Sequence, residues 1–170
     1  MKTFQQFIDD IPELDESSMS RIKAQSDKGG TAVMSASRGN LPGKENRARA
    51  KKLDKDIRSK FGKGATKAIG KYDEKDEKTG ETKRVKERSH VIQSGKMGKR
   101  KFKKAVKSLG KKYGQDSVIT QQKGDKGATL KRTRKGAMSK QNTKLGKMRP
   151  GRSGENETQK KGKTYTYDTK

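Results

Sequence analysis

A single imidazole, His90, is the whole histidine complement of this 170-residue chain, and cysteine is absent. Nucleophilic catalysis needs a nucleophile held beside an orienting base, and His90 would have to fill that role without the usual partners. Its setting, Ser89-His90-Val91-Ile92, reads as a strand in which a surface or half-buried histidine is the simpler explanation. Gly95-Lys96-Met97-Gly98-Lys99 has too short a gap between its glycines for a Walker loop and lacks the Ser/Thr. As a lone Gly-x-x-Gly it is compatible with a KH-type grip on a nucleic-acid backbone. The acidic pairs Asp73-Glu74 and Asp76-Glu77 lie among lysines and read as local charge balance rather than metal ligands. No metal and no cofactor are expected, and the chain is expected not to be an enzyme.

Anion binding has more candidates. Arg38 and the group Asn46, Arg47 and Arg49 stand where a helix begins, and helix N-termini and arginine forks both favour anions. Further cations cluster at Lys99-Arg100-Lys101, Lys103-Lys104, Lys111-Lys112, Lys131-Arg132 and Arg134. Each phosphate neutralised by such a group releases counterions, so these residues are expected to bind double-stranded DNA without sequence preference. Lysine predominates as a diffuse point charge, and few aromatics remain to stack bases. Gln115-Asp116-Ser117 reads as a turn in which Asp116 accepts backbone N–H groups and Gln115 satisfies carbonyls.

The charge behind this expectation is extreme: 46 Lys and Arg stand against 20 Asp and Glu, a net of +26. Leu, Ile, Val and Phe total only 22 residues, too few for a large single core. No apolar run is long enough to cross a membrane as a helix, so no membrane partner is expected. Residues 1–20 have the opposite balance, with Lys2 alone against Asp9, Asp10, Glu13, Asp15 and Glu16.

The elements that must carry these residues follow from periodicity. Thr31–Ala36 reads as a strand, and Lys44–Phe61 as a helix with Ala50, Leu53, Ile57 and Phe61 on one face and Gly62 as its stop. Ala65–Tyr72 and Val85–Gln93 read as two strands. Met97–Tyr113 reads as a helix with Phe102, Val106, Leu109 and Tyr113 inward and Gly114 as its stop, followed by a strand at Asp116–Thr120. The order β-α-β-β-α-β predicts an α+β fold, a small ferredoxin-like domain with one antiparallel sheet under two helices. The expected division is a leader at 1–16, a linker at 17–30, the small domain at 31–130 and a disordered basic tail at 131–170. The tail has too few apolar groups to offset backbone ordering. Within it, Lys163-Thr164-Tyr165-Thr166-Tyr167 alternates as an edge strand does, although a free end is the expected state.

Phe4, Phe7, Ile8 and Ile11 fall on one face of a short helix that Pro12 ends. Met1-Lys2-Thr3-Phe4-Gln5-Gln6-Phe7-Ile8 resembles the capsid-targeting leader of the internal head proteins of T-even-like phages. That resemblance implies recruitment by a prohead scaffold and trimming by a prohead protease after a Leu or Ile, any residue, then Glu. Ile11-Pro12-Glu13 and Leu14-Asp15-Glu16 both fit, placing cleavage after Glu13 or Glu16. It implies an internal virion protein on packaged DNA, found in the capsid interior. The alternative is a phage or bacterial accessory protein in the host cytoplasm that binds nucleic acid or an acidic host protein.

A second resemblance runs from Ser35 to Thr120. Its parts are Ser35-Ala36-Ser37-Arg38, Glu45-Asn46-Arg47-Ala48-Arg49, Gly70 with an aromatic two residues on, Glu87-Arg88-Ser89, and Lys112-Tyr113-Gly114-Gln115-Asp116-Ser117-Val118. Together they resemble a small domain of bacteria and phages with no assigned activity, which implies an ordered α/β middle and no particular chemistry.

Overall fold

A computed structural model describes residues 17–75, 78–134, 142–151, 156–160 and 163–167. The expected leader residues Phe4, Phe7, Ile8, Ile11, Glu13 and Glu16 lie outside the described residues. The elements run α1 (Ser17–Lys28), β1 (Thr31–Ser35), α2 (Gly43–Phe61), β2 (Thr66–Lys75), β3 (Thr82–Gln93), α3 (Lys99–Lys112), β4 (Ser117–Gln121) and β5 (Thr129–Arg132). Four short strands follow among the described residues: β6 (Thr143–Lys144), β7 (Met148–Pro150), β8 (Asn156–Lys160) and β9 (Lys163–Tyr167).

The fold is α+β, and the described residues build a nine-stranded sheet of order β6-β5-β4-β1-β3-β2-β8-β9-β7 in which each of these pairings is antiparallel. The expected sheet had four strands; five more join it because segments whose one aliphatic residue is Leu130 of β5 still supply paired backbone and buried tyrosine. The sheet cannot be flat. Nine strands laid side by side would put β6 and β7 about 38 Å apart. Only Leu145, Gly146 and Lys147 join those two strands, a reach of about 14 Å when fully extended. The two ends must therefore approach each other, and the sheet curls.

Alternation then assigns a core to each face. On the convex side Ala32, Met34, Ile92 and Val118 of the sheet meet Leu53 and Ile57 of α2 and Phe102, Val106 and Leu109 of α3, all buried. The helical spacing read from the sequence thus buries the stripe it implied, with Gly62 closing α2 at φ 74° and returning its N–H to Arg58 O. On the concave side Val33, Ala68 and Val91 pack with Ile22 of α1. Residues 17–28, expected as a linker, instead form this helix because Ile22 has an apolar surface to cover.

The expected disordered tail also differs. Residues 143–144, 148–150, 156–160 and 163–167 are strands, and Leu145, Tyr165 and Tyr167 join Ala128 in a third buried cluster, with Ile119, Leu130 and Met148 against it. The two tyrosine rings meet edge to face with centroids 5.9 Å apart. Their burial supplies the apolar area that a count of aliphatic residues overlooked.

Candidate active site

The concave face gathers small and polar side chains at one end of its central strands. Ser35 pairs with Ser89 across β1 and β3, and Ser89 pairs with Ala68 of β2. Ser117 stands two residues before Ile119, the partner of Val33, so strand alternation puts it on the same face as Ser35. Two residues along, Glu87 pairs with Gly70, and Gly70 with Thr158 of β8. Ser35, Gly70, Glu87, Ser89, Ser117 and Thr158 line a cleft of about 460 Å³, together with Val33, Tyr72, Ile119 and Leu130, a size suited to a small-molecule ligand.

Gly70 keeps this cleft open. A Cβ there would lie 2.5 Å from Ser89 Oγ and 3.8 Å from Glu87 Cγ, so any side chain would displace Ser89 or fill the floor. The buried Ser35 hydroxyl accepts the N–H of Ser37 at 3.0 Å and so fixes the chain where it leaves β1 for the cleft wall.

That wall is the loop after β1, held against the turn after α3. Buried Asn46 accepts the Arg38 N–H at 2.9 Å and donates to Arg38 O and Leu41 O at 3.0 and 3.1 Å. Arg49 donates to Ala36 O at 2.7 Å and to Tyr113 O at 2.6 Å. Arg38 Nη1 donates to Gly114 O at 3.1 Å, and Gln115 Nε2 to Ser37 O at 3.2 Å. Gly114 has φ +69°, and a Cβ on it would meet Arg38 Nη1 at 2.1 Å, so glycine is required on both counts. Behind the wall, Tyr113 Oη donates to Asp56 Oδ2 at 2.6 Å. Burial, then Asp56, pushes the Tyr113 phenol above its ordinary range, and hydrogen bonds from Lys112 and then Tyr113 hold the Asp56 carboxyl below its own.

At the mouth, Asp116 and Arg134 form an ion pair with Arg134 Nε 2.6 Å from Asp116 Oδ1. Both residues line the cleft, as do Arg38 and Glu87. The wall thus presents carboxylates and guanidiniums above a floor of hydroxyls and apolar carbon.

The family model of the S-adenosylmethionine lyases matches residues 32–170. The chain belongs to that family. Among solved structures, it is similar to a phage S-adenosylmethionine lyase in complex with S-methyl-5′-thioadenosine, at 15% identity, covering 84% of this chain and 90% of that chain with a TM-score of 0.36. No curated protein matches the chain.

Membership in a lyase family overturns the functional expectation drawn from charge and from the leader. The chain is not a non-enzymatic, DNA-binding internal head protein; its family is one of enzymes. The source class expected from the leader, a phage, is that of the solved lyase, whereas the internal-head resemblance is not supported. The scarcity of His and Cys misled because it does not exclude a lyase: the attacking group and the leaving group can both belong to the substrate.

The cations expected to bind DNA fall into two sets. Arg38 and Arg49 donate to carbonyls of the cleft wall, and Arg134 pairs with Asp116 at its mouth. Arg47 lies half-buried on α2, while Lys131 and Arg132 lie half-buried on β5. Lys99, Arg100, Lys101, Lys104, Lys111 and Lys112 are exposed on α3, and Lys103 is half-buried there. Of these, Lys112 reaches Asp56 at 2.8 Å and Lys99 reaches Asp125 at 3.6 Å. His90 is buried on the convex side, with Nε2 3.4 Å from Asp54 Oδ1, and Asp54 Oδ2 lies 2.8 Å from Lys67 Nζ. Burial pushes its imidazole down to about 4.

Sequence reasoning missed Ser35, Gly70, Tyr72, Ser89 and Thr158 as a site. The available signal was a mismatch: Ser35 and Ser89 stand at inward strand positions where neighbouring inward positions carry Val33 and Val91.

Proposed function

We propose that the chain cleaves the carbon–sulfur bond of S-adenosylmethionine on its amino-acid side, releasing S-methyl-5′-thioadenosine, in the cleft between β1, β3, β2 and β4. The observation that carries this is membership in the S-adenosylmethionine lyase family over residues 32–170.

The chemistry suits the lining. A sulfonium departs as a neutral thioether, taking the electron pair of the Cγ–S bond with it, so no general acid is needed at the leaving group; one oxygen of the substrate's own α-carboxylate forms the new bond to Cγ, and the amino-acid fragment leaves as homoserine lactone. The positive charge on sulfur disappears along the reaction, and the hydrocarbon of Val33, Ile119 and Leu130 favours that loss over a watery setting. Hydroxyls of Ser35, Ser89, Tyr72 and Thr158 offer partners for a ribose and a base, while Glu87 supplies an anion for a cationic substrate. We also read β1-α2-β2-β3-α3-β4, with its strand order β4-β1-β3-β2, as a split βαβ unit enlarged by β5 to β9.

Incubation of purified protein with S-adenosylmethionine, followed by liquid chromatography and mass spectrometry, tests the activity. S-Methyl-5′-thioadenosine should accumulate over many turnovers with no acceptor or oxidant added. Persistence of the substrate at an equimolar protein concentration would refute the reading.

A further inference from the structure

We infer that the Asp116–Arg134 pair at the mouth of the cleft is the docking point for the amino-acid end of the ligand, its α-ammonium turning to Asp116 and its α-carboxylate to Arg134. This rests on the cleft being the S-adenosylmethionine site.

Three observations support it. The pair is not needed as a staple between β5 and the turn after α3. Thr133 already joins them, its N–H donating to Asp116 O at 2.9 Å and its hydroxyl to Gln115 O. The pair is also within a ligand's reach, since the side chains of Arg134 and Asp116 retain 46% and 33% of their exposure and both line the cleft. An ion pair so exposed is weak and opens readily.

The third observation is the matching of charge. A ligand with one charge inserted between Asp116 and Arg134 would pair one partner and leave the other unmatched. A zwitterion satisfies both, exchanging one ion pair for two and leaving no charge unpaired. Arg38, anchored by its bond to Gly114 O, adds a second guanidinium to the same rim and favours a carboxylate there.

The test compares two stable ligands that differ in the amino-acid end. S-Adenosylhomocysteine has that end and S-methyl-5′-thioadenosine lacks it; neither carries a sulfonium. Calorimetry on the wild-type chain should show S-adenosylhomocysteine binding roughly tenfold or more tightly, the effect of one charge-assisted contact. Arg134→Met should bring the two affinities together by weakening S-adenosylhomocysteine alone, Asp116→Asn should narrow the gap in the same way, and Arg134→Lys should restore part of it. A merely structural role would weaken both ligands equally, and that outcome, or an unchanged ratio in Arg134→Met, would overturn the inference while leaving the cleft assignment standing. Failure of both ligands to bind the wild-type chain would overturn the cleft assignment and this inference with it.

Discussion

Arg49 of α2 lies across Tyr113, donating to its carbonyl at 2.6 Å while the guanidinium carbon sits 5.7 Å from the centre of its ring. The same side chain reaches Ala36 O at 2.7 Å. One guanidinium on the convex side therefore joins the two segments that form the cleft wall. An arginine at the start of a helix reads as an anion clamp, but here two carbonyl oxygens occupy its fork.

Replacing Arg49 by Met should remove both contacts and leave two carbonyls with poorer partners. Because hydrogen bonds from a charged donor contribute more than neutral ones, the loss should be roughly 1–3 kcal/mol in urea unfolding. The Michaelis constant for S-adenosylmethionine should rise as the wall loosens. Lys51→Met, on the exposed face of the same helix, should change stability by less than about 0.5 kcal/mol. Equal effects from the two substitutions would deny the wall its brace.

His90 gives a pH dependence whose sign is fixed. Burial holds its folded-state value at about 4, below the ordinary 6.5, with the Asp54 carboxylate only partly opposing the shift. Above pH 6.5 the imidazole is neutral in both folded and unfolded chains and contributes no dependence. As the pH falls from 6.5 towards 4 the unfolded chain gains a proton that the folded chain refuses, and stability drops by something on the order of 3 kcal/mol. Urea unfolding at pH 7.5 and 4.5 should show this loss, and it should shrink in His90→Gln. An identical pH slope in the variant would mean that other groups carry it.

The sequence disclosed the convex half of the molecule far better than the concave half. Leu53 and Ile57, and Phe102, Val106 and Leu109, repeat at helical spacing, and that periodicity specifies two buried stripes whatever lies opposite. The concave half depends on pairings between distant segments: Gly70 faces Glu87 across a hairpin and Thr158 from the other end of the chain. No local spacing encodes that register. Charge misled for a related reason, because Arg38, Arg49 and Arg134 count as cations in a composition but act as donors to specific carbonyl and carboxylate oxygens once the chain is folded.

Gly70 should tolerate no side chain in the wild-type setting. Gly70→Ala places a Cβ against Ser89 Oγ, and overpacking of this kind typically costs about 1–3 kcal/mol. Adding Ser89→Gly removes the clash, so the double variant should regain most of the thermal stability. Its cleft would still have a methyl group on the floor in place of a hydroxyl, and binding of S-methyl-5′-thioadenosine should remain weakened. Recovery of both stability and binding would show that Gly70 matters for packing only.

The C-terminal strand offers the sharpest contrast between a free tail and an integral one. β9 pairs with β8 on one side and β7 on the other, and it buries Tyr165 completely and Tyr167 almost so. Ending the chain at residue 162 would therefore strip two strands of their partner and uncover Ala128 and Leu145. The truncated protein should lose its cooperative thermal transition, and Tyr165→Ala in the full chain should destabilise by about 3–5 kcal/mol, the range for removing a buried aromatic ring. A disordered tail would give the opposite result, an unchanged melting curve for both, because removing residues that bury nothing exposes nothing new to water.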